Sequence, residues 1–394
     1  MKIVIVGHGI AGANAAKQVR KLSSKADIMM IGSEPFYCYN RPRLIEVLGG
    51  KSDLIDIYYY PPEWYTENHI EPYLNVKAER LFPEIQQVVT DCGQTFYYDK
   101  LLLATGSRPR LPGIDGIKTP GVFTIRTIED VRKIQNWARK CRKSIVIGGG
   151  LLGLETAHNL AKLGLKVAVI DRNPWPLSKQ IDEQGSKILQ EELNEKGITV
   201  VSNGNTSRIE EGSGIGDRLK VHLSDQTQLE SGMVVVSVGI EPNIELAQNG
   251  DLEINKGIVV DEFLRTSEKE VYAAGDVAEF EGKIYGIIPA AMEQGKIAGE
   301  NMIMGNTHKY RGTVPSTSLK IAGINLVSLG TIYPQPKDDV VIKTDEAKRV
   351  YKKAVFRDGN LIGAILLGDK TEIPQLNRML RSGEKIEAPE SVFD

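Results

Sequence analysis

An α/β fold of two parallel-sheet domains, the second inserted in the first, with a small α+β domain after them, is what the sequence predicts. Two glycine-rich loops carry that prediction: Gly7-His8-Gly9-Ile10-Ala11-Gly12 and Gly148-Gly149-Gly150-Leu151-Leu152-Gly153. Each follows an apolar strand, Lys2 to Val6 and Ser144 to Ile147, and each opens a helix. In that context the glycines permit a tight turn and bring a pyrophosphate to the helix N-terminus, which makes both units Rossmann-like and dinucleotide-binding. A third observation is length, since 394 residues suffice for roughly two or three domains.

The elements follow in order. From residue 1 to about 110 the pattern is strand, helix, strand (Ile28 to Ile31), then an aromatic and proline-rich stretch from Pro35 to Trp64, then the strand Tyr98 to Ala104. The turn residues Thr105-Gly106-Ser107-Arg108-Pro109-Arg110-Leu111-Pro112-Gly113 mark the exit from this domain. A second unit repeats the order with Ser144 to Ile147, the loop, the helix Leu154 to Leu163 and the strand Lys166 to Ile170, an internal duplication closed by the strand Met233 to Val238. After it, Gly257 to Val260 and Val271 to Ala274 read as strands, and Pro289 to Met304 as a helix with apolar residues at helical spacing. These close no domain alone, so the expected division is 1–112 with 245–310, 113–244 inserted between them, and 311–394. The last part alternates the strands Ser318 to Ala322, Leu326 to Leu329, Lys352 to Phe356 and Leu361 to Leu367 with a helix near Gln375 to Arg381, and its polar tail from Glu384 is expected to fray.

With 49 basic and 51 acidic residues, neither nucleic acid nor an anionic membrane is indicated as a bulk partner. The N-terminal apolar run is too short for a membrane span and flows straight into the first loop, so it reads as structural rather than as a signal peptide. Cys38, Cys92 and Cys141 stand apart, with no C-x-x-C pair and no set able to hold zinc or an iron–sulfur cluster. A reducing, cytoplasmic setting is expected. If one dinucleotide is a flavin and the other a nicotinamide, a hydride passes between them, and the missing cysteine pair points to electrons leaving without a thiol relay.

Two acids stand where ribose ligands belong. Asp171 ends the strand after the second loop, near the ~20-residue spacing at which a carboxylate accepts the ribose hydroxyls, and favours NADH over NADPH; Arg172 beside it is a candidate for a 2′-phosphate or a solvated charge. In the first unit the strand ends in Gly32-Ser33 and the acid comes late, as Glu34.

Taken with Leu103-Ala104-Thr105-Gly106-Ser107-Arg108-Pro109, Val238-Gly239-Ile240-Glu241-Pro242-Asn243 and Val271-Tyr272-Ala273-Ala274-Gly275-Asp276, the two loops resemble the pyridine nucleotide–disulfide oxidoreductase superfamily along essentially the whole chain. The resemblance implies FAD on Gly7, Gly9, Ile10, Ala11 and Gly12, and NAD(H) on Gly148, Gly150, Leu151, Leu152 and Gly153. It adds Glu34, Arg41, Pro42, Ala104, Thr105, Gly106, Arg108, Glu155, Asp171, Arg172, Val238, Gly239 and Gly275 as cofactor contacts. Asp276 is implied to bind the ribityl chain, a carboxylate accepting from hydroxyls. Pro289 and Ala290 open a helix implied to point its positive end at the flavin pyrimidine.

Within the superfamily, Tyr39-Asn40-Arg41-Pro42-Arg43-Leu44 and Gly363 to Asp369 are most similar to NADH:rubredoxin oxidoreductases and the flavin module of NADH-dependent nitrite reductases. Pro42 occupies the place of the cysteine found in coenzyme A disulfide reductases and NADH oxidases, and Cys38 lies four residues earlier. Glu46 stands where related ferredoxin reductases carry a lysine implied to pair with the glutamate aligned with Glu155. Arg41 or Arg43 is then the cation expected nearest the flavin, and Arg41 and Glu155 are the candidate catalytic residues. Lys348, Arg349, Lys352, Lys353, Arg378, Arg381 and Lys385 form a late basic group, either a docking face for an acidic carrier or a solvated surface. The expected activity is electron exchange between NADH and a small iron–sulfur carrier, rubredoxin or ferredoxin, through FAD. The alternatives are an NADH oxidase or peroxidase, the flavoprotein component of a nitrite reductase or other larger redox complex, and a flavin-bearing sensing module.

Overall fold

The structure, a computed structural model, describes residues 1–212, 218–313, 316–321, 324–386 and 388–393. They form two compact units: Met1–Arg43, Ser52–Pro109 and Gly239–Thr313 make the first, and Leu44–Lys51, Arg110–Val238 and Val314–Asp394 the second.

In the first unit the strand Lys2–Val6 lies at the centre of a five-stranded parallel sheet, with Asp27–Gly32 and Ile70–Leu74 on one side and Lys100–Leu103 and Val271–Ala273 on the other. Ile3, Val4, Ile5 and Val6 are all buried, the mark of a parallel strand covered on both faces. Helix Ile10–Leu22 packs against helix Ile288–Met304 at a separation only glycine allows: a Cβ on Gly295 would lie 2.2 Å from the Ala11 carbonyl oxygen, and one on Gly299 2.7 Å from that of Ala15. Ser107–Pro109, read from sequence as part of a turn, pairs instead, running antiparallel to Ile240–Pro242.

The second unit repeats the architecture around Lys143–Ile147, flanked by Lys166–Ile170 and Ile198–Val201 on one side and Met233–Val236 and Val122–Thr124 on the other, all parallel. The fifth strand comes from before the glycine loop here and from after it in the first unit, so the copies differ in where the chain enters. Both also carry a three-stranded antiparallel sheet, Ala78–Phe82, Gln87–Thr90 and Thr95–Tyr97 in the first, Thr206–Glu211, Leu219–Leu223 and Gln228–Ser231 in the second. Helix Ile128–Ala138 starts on a capping box between Thr127 and Asp130.

Residues 311–394 carry a five-stranded antiparallel sheet, with Asn360–Leu367 between Ile324–Gly330 and Val350–Arg357, and a helix Ile373–Ser382 on it. Of the strand expected from Ser318, Ala322 lies outside the described residues. The expectation of a frayed tail is corrected: Pro389–Phe393 forms a 3₁₀ turn whose Val392 and Phe393 are buried with Phe356, Leu366 and Leu376, and Lys343 Nζ donates to the Phe393 carbonyl at 2.5 Å. The two units place 44–51 and 110–112 with the expected inserted domain, and 239–244 and 311–313 with the first. Leu44–Lys51 belongs to the second unit because helix Leu44–Leu48 buries Leu44, Ile45, Val47 and Leu48, and Gln135 Nε2 donates to the Val47 carbonyl at 2.8 Å.

Candidate dinucleotide sites

Both glycine loops sit at the carboxyl ends of central strands, the edge at which doubly wound sheets bind ligands. Gly7 has φ +125°, and a Cβ there would lie 2.0 Å from the Ala104 carbonyl oxygen; Gly148 has φ +112° and would meet the Ser237 carbonyl oxygen at 2.2 Å. Gly12 and Gly153 close the turns, each with its Cβ position about 2 Å from the carbonyl oxygen of the first glycine, at 2.2 Å and 1.9 Å. The middle glycines behave differently. Gly9 and Gly150 are the N-caps of helices Ile10–Leu22 and Leu151–Lys162, neither helix has a side-chain cap, and a Cβ on either glycine meets no atom within 4 Å. The first backbone N–H groups of both helices are therefore presented to an anion, which fits a dinucleotide pyrophosphate in each unit. Ile10, Ala11, Leu151 and Leu152 form those first turns.

In the second unit Asp171 is 4% exposed at the end of its strand. Its Oδ1 accepts from Asn173 N and Nδ2, both at 2.9 Å, and its Oδ2 lies 2.3 Å from the Cβ position of Gly149. The carboxylate is thus held beside the loop, while Arg172 is exposed. Val238 and Gly239 follow the strand Met233–Val236, at the same edge. Glu155 projects from helix Leu151–Lys162, half-buried, and burial together with the Glu46 carboxylate pushes its pKa up to about 7. Sequence reading set Glu46 apart as a lost cation; here it is a neighbouring negative charge that adds to the effect of burial on Glu155.

In the first unit Thr105 and Asn243 lock the turn after strand Lys100–Leu103: Thr105 Oγ1 donates to the Asn243 carbonyl and Asn243 Nδ2 to the Thr105 carbonyl, both at 2.8 Å, beside Gly106 at φ +68°. Arg108 forms ion pairs with Glu241 at 2.6 Å and with Glu245, so its charge is matched within the unit. Glu34 and Arg41 are brought together: Arg41 Nη2 lies 2.5 Å from Glu34 Oε1, and Tyr39 OH donates to Glu34 Oε2 at 2.6 Å. Glu34, the expected ribose ligand, and Arg41, an expected flavin cation, thus form a half-buried ion pair braced by the Tyr39 phenol. Pro42, next to them, is exposed in the 3₁₀ turn Arg41–Arg43. Gly275, at φ +86°, sits with its Cβ position 3.0 Å from Ala11 Cβ, and Asp276 accepts from Ser107 Oγ at 2.7 Å. Helix Ile288–Met304 begins nearby with Pro289 in its first turn, buried Ala290 and no side-chain cap.

Sequence reasoning missed Asn173 and Gln294, and it read Gly149, Ser107 and Asn243 only as members of motifs, not as the residues that position the named ones. The triple glycine at 148–150 was the one available signal, since a middle glycine beside a required acid implies close approach. Cys38 is fully buried, and burial pushes its thiol up to about 12, against the pull of Arg41. The late basic group is divided. Lys352 pairs with Asp369 and Glu372 at 2.6 Å, Lys353 with Asp182 at 2.8 Å, and Arg349 with Glu192 and Glu195, so these three are spent inside the unit, while Lys348, Arg378, Arg381 and Lys385 are exposed. No helix among the described residues is long and apolar enough to cross a membrane, and no group of His, Cys, Asp or Glu among them is arranged to hold a metal ion.

Residues 1–295 match the pyridine nucleotide-disulphide oxidoreductase family model, and residues 315–384 match the rubredoxin NAD+ reductase C-terminal domain. The chain is 38% identical over 376 residues to the assimilatory nitrate reductase electron transfer subunit of Bacillus subtilis, covering 95% of this chain and 48% of that protein. It spans about half the length of the first curated relatives it matches, which include a nitrite reductase [NAD(P)H] of the same organism at 35% identity. With the NADH-rubredoxin oxidoreductase of Clostridium acetobutylicum it shares 31% identity over 98% of this chain and 96% of the relative, and the crystal structure of that organism's NADH:rubredoxin oxidoreductase superposes with a TM-score of 0.81 over 98% of this chain and 96% of that one. A ferredoxin reductase from Rhodopseudomonas palustris, 26% identical, gives 0.89 over 100% and 97%. Two matched glycine loops, the acid beside the second and the family match over most of the length together make this chain a member of the pyridine nucleotide–disulphide oxidoreductase family, an FAD-dependent flavoprotein that uses NAD(H).

Proposed function

We propose that this chain exchanges electrons between NADH and a small iron–sulfur protein of the rubredoxin or ferredoxin kind, without a redox-active cysteine. The observation that carries the reading is the near end-to-end match to an NADH-rubredoxin oxidoreductase, including the C-terminal domain. Burial of Cys38, whose thiol stays protonated, supports the absence of a thiol relay. When bound, FAD supplies the step the protein cannot, taking two electrons as a hydride from NADH and releasing them singly.

The chain's residues bind and tune. The bare helix N-termini at Gly9 and Gly150 hold the two pyrophosphates, and Asp171, fixed by Asn173, accepts the ribose hydroxyls of NADH. Asp276 accepts from the polyol of FAD, and the uncapped N-terminus of helix Ile288–Met304 favours negative charge on the reduced ring. Glu155 gains or loses a proton at its carboxyl oxygen near pH 7.

A second reading has its own support: similarity to half of several nitrate and nitrite reductase proteins favours service as the flavoprotein part of a larger redox assembly. Both readings share the NADH half-reaction. Steady-state assays of the purified yellow protein with NADH and either rubredoxin or ferredoxin test the carrier half. Carrier-dependent turnover is expected, whereas turnover with oxygen or peroxide alone moves the assignment to an oxidase.

A further inference from the structure

Asp276 is the residue on which flavin binding is expected to turn, yet a carboxylate at the end of a three-residue strand has no rigidity of its own. Two groups in the same unit supply it. The backbone before it is held by Gln294, on the second turn of helix Ile288–Met304: the side chain is 1% exposed, and its Oε1 accepts from Gly275 N at 2.8 Å. The carboxylate is held by Ser107, whose buried Oγ donates to Asp276 Oδ2 at 2.7 Å from the strand that leaves the domain. Gly275 is compressed between the two helix starts, its Cβ position 3.0 Å from Ala11 Cβ and 3.9 Å from Ala291 Cβ, so the peptide Gln294 grips lies against the first glycine loop's helix.

A buried amide oxygen directed at one backbone N–H is costly to leave unmatched, and a long polar side chain gives up rotamer freedom to be there. Packing alone does not call for glutamine at this place in an alanine- and glycine-rich helix interface. We propose that Gln294 and Ser107 are positioning residues for the flavin, fixing the Gly275–Asp276 peptide and the Asp276 carboxylate in the place from which it would meet the polyol of FAD. The proposal rests on the reading of Asp276 as an FAD ligand.

The test uses the purified holoprotein. The dissociation constant of FAD is measured by ultrafiltration, and the visible circular dichroism of bound flavin is recorded for Gln294→Met, Gln294→Glu and Ser107→Ala. Gln294→Met keeps length and removes the acceptor, and should weaken FAD about tenfold or more with a changed flavin dichroism band; Ser107→Ala should do likewise. Gln294→Glu keeps a carboxyl oxygen at the same reach and should restore binding to within about threefold with the native band. Native affinity in Gln294→Met, or equal loss in Gln294→Met and Gln294→Glu, overturns the proposal. A wild-type protein that binds no FAD overturns the reading beneath it instead.

Discussion

Glu155 shows how burial and one charged neighbour together shift a carboxyl group. Burial raises its carboxyl pKa and the Glu46 carboxylate raises it further, to about 7. Because the folded-state value lies above that of the unfolded chain, its contribution to stability is present below the unfolded pKa and is lost as pH rises through about 7. Glu155→Gln should therefore flatten the fall of melting temperature between pH 5 and pH 8, raising it at pH 8 by a few degrees in differential scanning fluorimetry; an unchanged slope refutes the carboxylate pair. Asp171 makes a sharper case. With one oxygen committed to Asn173 and the other beside Gly149, Asp171→Ala should raise the NADH Michaelis constant roughly tenfold or more while affecting NADPH less, which steady-state kinetics with both nucleotides will reveal.

At the scale of elements, helix Ile10–Leu22 and helix Ile288–Met304 are held together through glycine. Gly295→Ala places a methyl about 2 Å from the Ala11 carbonyl oxygen, a backbone atom that cannot swing aside, so the helices must separate. The expected cost is roughly 1–3 kcal/mol in denaturant unfolding, with weakened flavin binding because Ala11 belongs to the phosphate loop. Glycine loops and strands were the legible part of this architecture. Lys2–Val6 and Lys166–Ile170 stand where the apolar runs put them, because a parallel strand buried on both faces leaves an uninterrupted signal. The tail was not legible, since the apolar pair Val392-Phe393 is too short to show periodicity and becomes core only when the C-terminal sheet lies beside it. Lys352 and Lys353 misled for a related reason. A run of basic residues is ordinarily a wet surface, and their partners Asp369, Glu372 and Asp182 are named by the fold, not by spacing.

For the whole molecule, the duplicated glycine-loop domain is the feature from which the proposed function follows: two parallel sheets, two bare helix N-termini and a buried acid beside the second loop, an arrangement that fits a pair of dinucleotides. The motif residues proposed to meet the dinucleotides were readable because glycine and aspartate requirements are local. The roles of Asn243 and Ser107 in holding them were not, because what marks those roles is a hydrogen bond formed across distant parts of the chain; Asn173, two residues from Asp171, carries no motif of its own. The central claim is that bound flavin takes electrons from NADH and yields them to an iron–sulfur carrier rather than to a thiol. Anaerobic rapid mixing of the yellow protein with NADH, followed by mixing with rubredoxin or ferredoxin, tests it most directly through the flavin absorbance. Fast bleaching, then reoxidation accelerated by the carrier and unaffected by Cys38→Ser, is the predicted result; flavin that stays reduced in the presence of both carriers and recovers only with oxygen or peroxide would contradict it.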